Sequence, residues 1–183
     1  NCSINSETGK HSHGSKKKPL NLSNESLSFE VDQYNVFALP VESPNHGSRI
    51  TVANPRNSAA SPFGWHDTNG ATGAEFTITR GNNVHAQLDD DGNNGSGYSP
   101  DGGAELDFNF PLDAVNKTPD TYKDASLTNL FYMNNVMHDI GYQYGFDEAS
   151  ENFQVNNDEK GGTAGDEVFA DGQDGSGRNN ANF

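Results

Sequence analysis

Asp124-Ala-Ser-Leu-Thr-Asn-Leu-Phe-Tyr-Met-Asn-Asn-Val-Met-His-Asp-Ile-Gly-Tyr-Gln-Tyr-Gly145 is the one stretch whose period decides an element. Leu127, Leu130, Phe131, Met133, Met137, Ile140 and Tyr144 fall on one broad arc at about 3.6 residues per turn. Thr128, Tyr132, Asn135, Asp139 and Gln143 fall on the other side. The spacing predicts a helix that starts near Pro119 or Ser126 and stops at Gly145. Thr118 or Asp124 is the candidate cap, and Pro119 suits a first helical position. Gly145 suits the left-handed position after a helix. So wide an apolar arc predicts burial on more than one side, Phe131 and Ile140 included.

Everything around this helix reads as short extended segments between turns. From Leu27 the texture changes, and Phe29, Val31, Tyr34, Val36, Phe37, Leu39 and Val41 alternate imperfectly, stopped by Pro40 and Pro44; Ile50-Thr51-Val52 is a second apolar stretch. Glu75 to Arg80 alternates with period two, and Val84 to Leu88 follows a Gly81-Asn82-Asn83 turn, so the two predict a hairpin. Leu106, Phe108 and Phe110 predict another strand, Asp147 to Phe153 a short helix, and Glu167 to Ala170 a last strand. Residues 1–27 are polar and aperiodic and read as a linker or tail. The expected fold class is α+β.

Only 31% of the 183 residues are hydrophobic, which leaves a thin core unless part of it lies elsewhere. No apolar run reaches the roughly 18 residues of a membrane span. With a formal net charge of -15, the chain repels phosphate backbones and anionic lipid, so neither nucleic acid nor membrane is an expected partner. The lone Cys2 excludes an internal disulfide and a zinc finger.

Metal chemistry is the natural question for so acidic a chain. His11, His13 and Cys2 lie together in the linker, where solvation is the plainer reading. Asp89-Asp90-Asp91-Gly92-Asn93-Asn94-Gly95 offers oxygens at alternating positions, as calcium prefers. The EF-hand pattern fails there: the sixth position is Asn94 and the twelfth Pro100. A solvated turn is therefore expected, with Asp101, Asp171 and Asp174 as weak additional ligands. His138 beside Asp139 reads as a buried, hydrogen-bonded histidine, because adjacent helical residues project about 100° apart. Glu148, Glu151, Asp158, Glu159, Asp166 and Glu167 read as surface charges.

Several blocks carry a family resemblance: Val41 to Arg49, Ala60-Ser-Pro-Phe-Gly-Trp-His-Asp67, Thr79-Arg-Gly-Asn-Asn83 and Asp124 to Tyr132. They continue with Met137-His-Asp139, Tyr144-Gly-Phe146, Asn152-Phe-Gln154, Asp174-Gly-Ser-Gly177 and Asn179-Asn-Ala-Asn-Phe183. Together, over residues 33–183, they resemble the start of the mature domain of the fungalysin family of secreted zinc metalloendopeptidases, closest to its bacterial members. The resemblance implies the β-rich N-terminal lobe of a thermolysin-like peptidase, one long buried helix, and an edge strand. It implies that residues 1–32 are a propeptide tail or junction, and that the protein is secreted. Asn180 would hold the substrate main chain and Ala181 would offer its carbonyl, while protein or peptide substrates, the propeptide and the remainder of the peptidase domain would be the partners.

The family's H-E-x-x-H motif is absent from residues 1–183. The histidines are His11, His13, His46, His66, His85 and His138, with no pair four apart. Zinc would therefore be bound by residues beyond this segment, with no metal ligand or catalytic residue within it, and the segment alone is expected to be inactive. Two other readings stay open: a non-catalytic binding or structural module, stabilised by calcium, and one chain of a nicked enzyme.

Overall fold

The computed structural model describes residues 31–177, which form an α+β unit of short strands around one long helix. Strands β1 (Gln33–Val36) and β2 (Ile50–Ala53) pair antiparallel, with Gln33 opposite Ala53 and Val36 opposite Ile50. β3 (Val84–Leu88) stands apart from them. β4 (Asp107–Phe108) runs parallel to β1, giving a three-stranded sheet in the order β2-β1-β4. Helix α1 (Lys123–Gln143) packs on β1, β3 and β5 (Val168–Gly172). β5 pairs parallel with β3, Val84 opposite Val168 and Leu88 opposite Gly172. The helix thus lies between two small sheets.

The alternation of β1 sets the core. Tyr34, Val36 and Ala38 point inward, while Gln33, Asn35 and Phe37 are half-buried. Tyr34 stacks on Phe108 of β4 with ring centroids 5.3 Å apart. Trp65, from the loop after β2, packs edge-on to Phe131 of α1 at 6.3 Å. Val84, Ala86 and Ala170 extend the same core under the second sheet.

The two ends of α1 differ. A 3-10 turn, Pro119–Tyr122, leads into it with Pro119 in the first turn; Thr118 stands at its cap position without a side-chain cap bond. Asp124 lies inside the first turn of α1 instead of capping it. At the other end Gly145 has φ +94 and donates its N–H to Tyr142, while Phe146 donates to Gly141, both at 3.0 Å. That pair is a Schellman ending, and it needs the left-handed residue at Gly145. Gly145 occupies the position its sequence context predicts.

Three expectations are corrected. Residues 75–80 do not form a regular strand. The Arg80 N–H turns back to Ile78 O at 2.6 Å, which breaks the ladder and leaves isolated bridges from Ile78 to Asp101 and Arg80 to His85. The hairpin survives in the exchange between Thr79 and Ala86, the Gly81 N–H to Val84 O bond at 3.0 Å and the Arg80–His85 bridge. Asp147–Phe153 yields a single 3-10 turn, Glu148–Ser150, because the Asp147 side chain caps Ser150 and Glu151 goes left-handed at φ +61.

The third correction is the buried face of α1. Its buried residues are Ala125, Leu127, Thr128, Phe131, Tyr132, Asn135 and Asp139. Met137 is 57% and Tyr144 89% exposed, and Ile140 is only half-buried. Leu127 and Phe131 of the predicted arc are buried as expected, and Thr128, Tyr132, Asn135 and Asp139 of the polar side join them because the loops they meet present backbone N–H, hydroxyl and indole donors.

Candidate functional site

The sequence blocks scattered from Ala60 to Gln154 converge around Asp139. One helical turn before it, Asn135 Oδ1 accepts from Asn83 Nδ2 at 3.0 Å. Asn83 also reaches Ser61 Oγ, at 3.2 Å. Asp139 Oδ1 accepts the Ser61 hydroxyl at 2.8 Å, and Oδ2 accepts the Asn57 N–H at 2.8 Å and Trp65 Nε1 at 3.0 Å. His138 Nδ1 lies 3.1 Å from Asp139 Oδ1, and its Nε2 lies 3.3 Å from Asn152 Nδ2. His138 is thus a bonded, half-buried side chain, as its setting in the helix predicts. A charged acceptor with three donors holds the 57–65 loop onto the helix more firmly than neutral pairs would.

The second sheet carries the chain toward the predicted substrate-binding residues. Ala170 and Gly172 of β5 face α1; a Cβ on Gly172 would stand 2.6 Å from Leu127 Cδ2. Phe169 points the other way, exposed beside His85. Among the described residues β5 pairs with β3 alone, so its second edge carries no ladder partner. Buried Gln87 ties the layer together by donating to Asp171 Oδ1 and Gly95 O, both at 2.9 Å. After Gln173 the chain passes the 89–92 turn, where Gly175 donates to Asp89 O at 2.8 Å. Asn180 and Ala181 lie outside the described residues, as do Cys2, His11 and His13.

The acidic turn is built for itself. The two Asp89 oxygens accept the N–H groups of Asn93 and Asn94, both at 3.1 Å, and Asp91 accepts from Asn93. Among the described residues no group of three or more His, Cys, Asp or Glu converges to hold a metal ion. Glu148 departs from its expected surface role: it is buried, and Lys160 Nζ pairs with it at 2.8 Å.

A cleft of about 330 Å³ opens beside the start of β1, between Asp32, Arg56, Phe63, Trp65, His66 and Asp67. Tyr34 Oη lies 2.8 Å from both Asp32 Oδ2 and His66 Nε2. His66 Nδ1 lies 3.0 Å from Arg80 O, and the imidazole is stacked on Phe108 and Phe131. Burial drives the His66 pKa down to about 4 and raises that of Asp32. Burial also pushes Tyr34 well up.

A family model, fungalysin metallopeptidase (M36), matches residues 33–183. This chain belongs to the fungalysin metallopeptidase family. It is 45% identical over 152 residues to extracellular metalloproteinase 5 of Trichophyton tonsurans, covering 82% of this chain and 24% of that protein. It is 44% identical over 152 residues to extracellular metalloproteinase 1 of Arthroderma gypseum, covering 82% and 23%. The fungalysin chain therefore spans about a quarter of the length of these curated relatives. They are fungal, so the expected closeness to bacterial members finds no support in them.

Sequence reasoning missed the partners of Asp139 and the whole of the Asp32, Tyr34 and His66 chain. Trp65, His66 and Asp139 all stood within blocks of family resemblance. Polar residues fixed inside such blocks were the available signal.

Proposed function

We propose that this fungalysin chain forms part of the substrate cleft of a secreted zinc metalloendopeptidase. The observation that carries the reading is the β5 edge, packed on α1 and leading toward Asn179-Asn180-Ala181. An open edge accepts an extended peptide as an added strand. A carboxamide such as that of Asn180 offers a donor and an acceptor to one peptide group. In the complete protein the metal supplies water activation for hydrolysis of internal peptide bonds. Its ligands belong to residues outside this chain, so the chain alone does not cleave peptides. The exposed Met137, Tyr144, Phe146 and Phe153 suit burial against the remainder of the peptidase domain. Secretion is supported by the name extracellular metalloproteinase that the relatives bear.

The test is Asn180→Ala in the complete enzyme. Peptide turnover is expected to drop while zinc content stays unchanged; full activity would remove Asn180 from the substrate site. The calcium-stabilised module has less support, since Asp89 and Asp91 already spend their oxygens on neighbouring N–H groups.

A further inference from the structure

The protons in the chain beside the cleft can be counted. Arg80 O can only accept, so His66 Nδ1 carries a hydrogen. Two contacts remain, Asp32 to Tyr34 and Tyr34 to His66 Nε2, and each needs a proton between its heavy atoms. The phenol supplies one. The second belongs either to Asp32, with every group neutral, or to His66 Nε2, as an imidazolium facing an aspartate. His66 is buried between the apolar faces of Phe108 and Phe131, where an imidazolium loses its hydration without gaining a carboxylate contact.

We infer that Asp32 is a neutral carboxylic acid in the folded protein, donating to Tyr34, which donates to His66 Nε2, a pH-sensitive latch between β1 and the 61–67 loop. When Asp32 ionises, its carboxylate accepts the hydrogen bond of the Tyr34 hydroxyl, and His66 Nε2 is left without a donor. Arg56 is the charge that favours that ionised form. It is held in the cleft by donation to Pro62 O at 2.8 Å. Asp67 turns its Oδ1 to the Gly70 N–H, and the Arg80 guanidinium lies over Phe76. β4 and α1 present only the rings of Phe108 and Phe131 to the imidazole.

The sign follows from proton linkage. The raised Asp32 value stabilises the fold at low pH and is lost as pH rises through it. The lowered His66 value stabilises the fold at high pH and is lost as pH falls through about 4. From about pH 4 to about 6.5, the ordinary histidine value, folded and unfolded chains hold one proton each across the pair. The latch requires folded Asp32 to keep its proton above that range, where the unfolded histidine loses its own. Stability then falls with rising pH, by up to about tenfold in the folding equilibrium per unit.

The experiment is equilibrium unfolding of the intact protein from pH 5 to 9, wild type against Asp32→Asn. Asparagine donates to Tyr34 but has no proton to lose. The variant is expected to be flat above pH 6.5 and to lose stability below it, the reverse of the wild type. Parallel profiles would overturn the latch. The carbon-13 shift of the Asp32 carboxyl in the wild type at pH 7 decides independently of the variant's folding. A protonated carboxyl supports the neutral acid, and a carboxylate overturns it.

Discussion

The C-terminal half of α1 inverts the usual relation between polarity and burial, with Asn135 and Asp139 buried and Met137 exposed. The Asp139 face is polar and buried; the Met137 face is apolar and open. The first works because every oxygen of Asp139 finds a donor, which removes most of the cost of taking a carboxylate out of water. The second leaves side chains that gain nothing from this part of the chain. Burial therefore follows the supply of partners.

The comparison breaks hardest at Asp139. Asp139→Ala strands Asn57 N, Ser61 Oγ and Trp65 Nε1, and orphaned buried donors cost about 1–3 kcal/mol each. Chemical denaturation should show a loss above about 3 kcal/mol. Retention of stability within about 1 kcal/mol would mean the polar face is not what holds the 57–65 loop. Phe131→Ala removes a fully buried ring from between the two sheets and should cost about 3–5 kcal/mol by the same measurement.

Gly81 tests the loop side of the same network. A Cβ there would lie 1.5 Å from Trp65 O, so Gly81→Ala must push the backbone apart. A loss at or beyond the upper end of the ~1–3 kcal/mol range for overpacking is expected in thermal melts. The smallest effect belongs to the open face. Met137→Ser in residues 1–183 should change stability by no more than about 0.5 kcal/mol. The same substitution in the complete enzyme should cost more, and equal effects in both would show that nothing packs over this face.

The sequence made the helix legible because a long 3.6-residue period survives any local environment. Gly145 was legible too, since a left-handed stop has few residues that suit it. β1, β3, β4 and β5 were visible as short alternations. The Glu75–Arg80 strand failed because alternation fixes which way side chains point but not whether each backbone N–H meets a partner; that of Arg80 folds back on Ile78. The buried face of α1 was misread for a related reason. Hydrophobicity ranks side chains by their cost in the absence of partners, and Asp139 has three donors from the 57–65 loop and His138 besides. Asp32 and Tyr34 lie on one segment and His66 on another, and no local pattern joins the two.

The parallel pairing of β3 with β5 has a consequence for the order of assembly. Val84 meets Val168, with the whole of α1 lying between them in the chain. α1 can form from its own residues, and β1 with β2 closes over a short span. The second sheet cannot begin until the chain has been made through Gly172, and a contact of such long range comes late and slowly. Until then the apolar side of β3 has no cover from β5. The interval before β5 emerges is thus one in which β3 offers an unpaired edge to other chains.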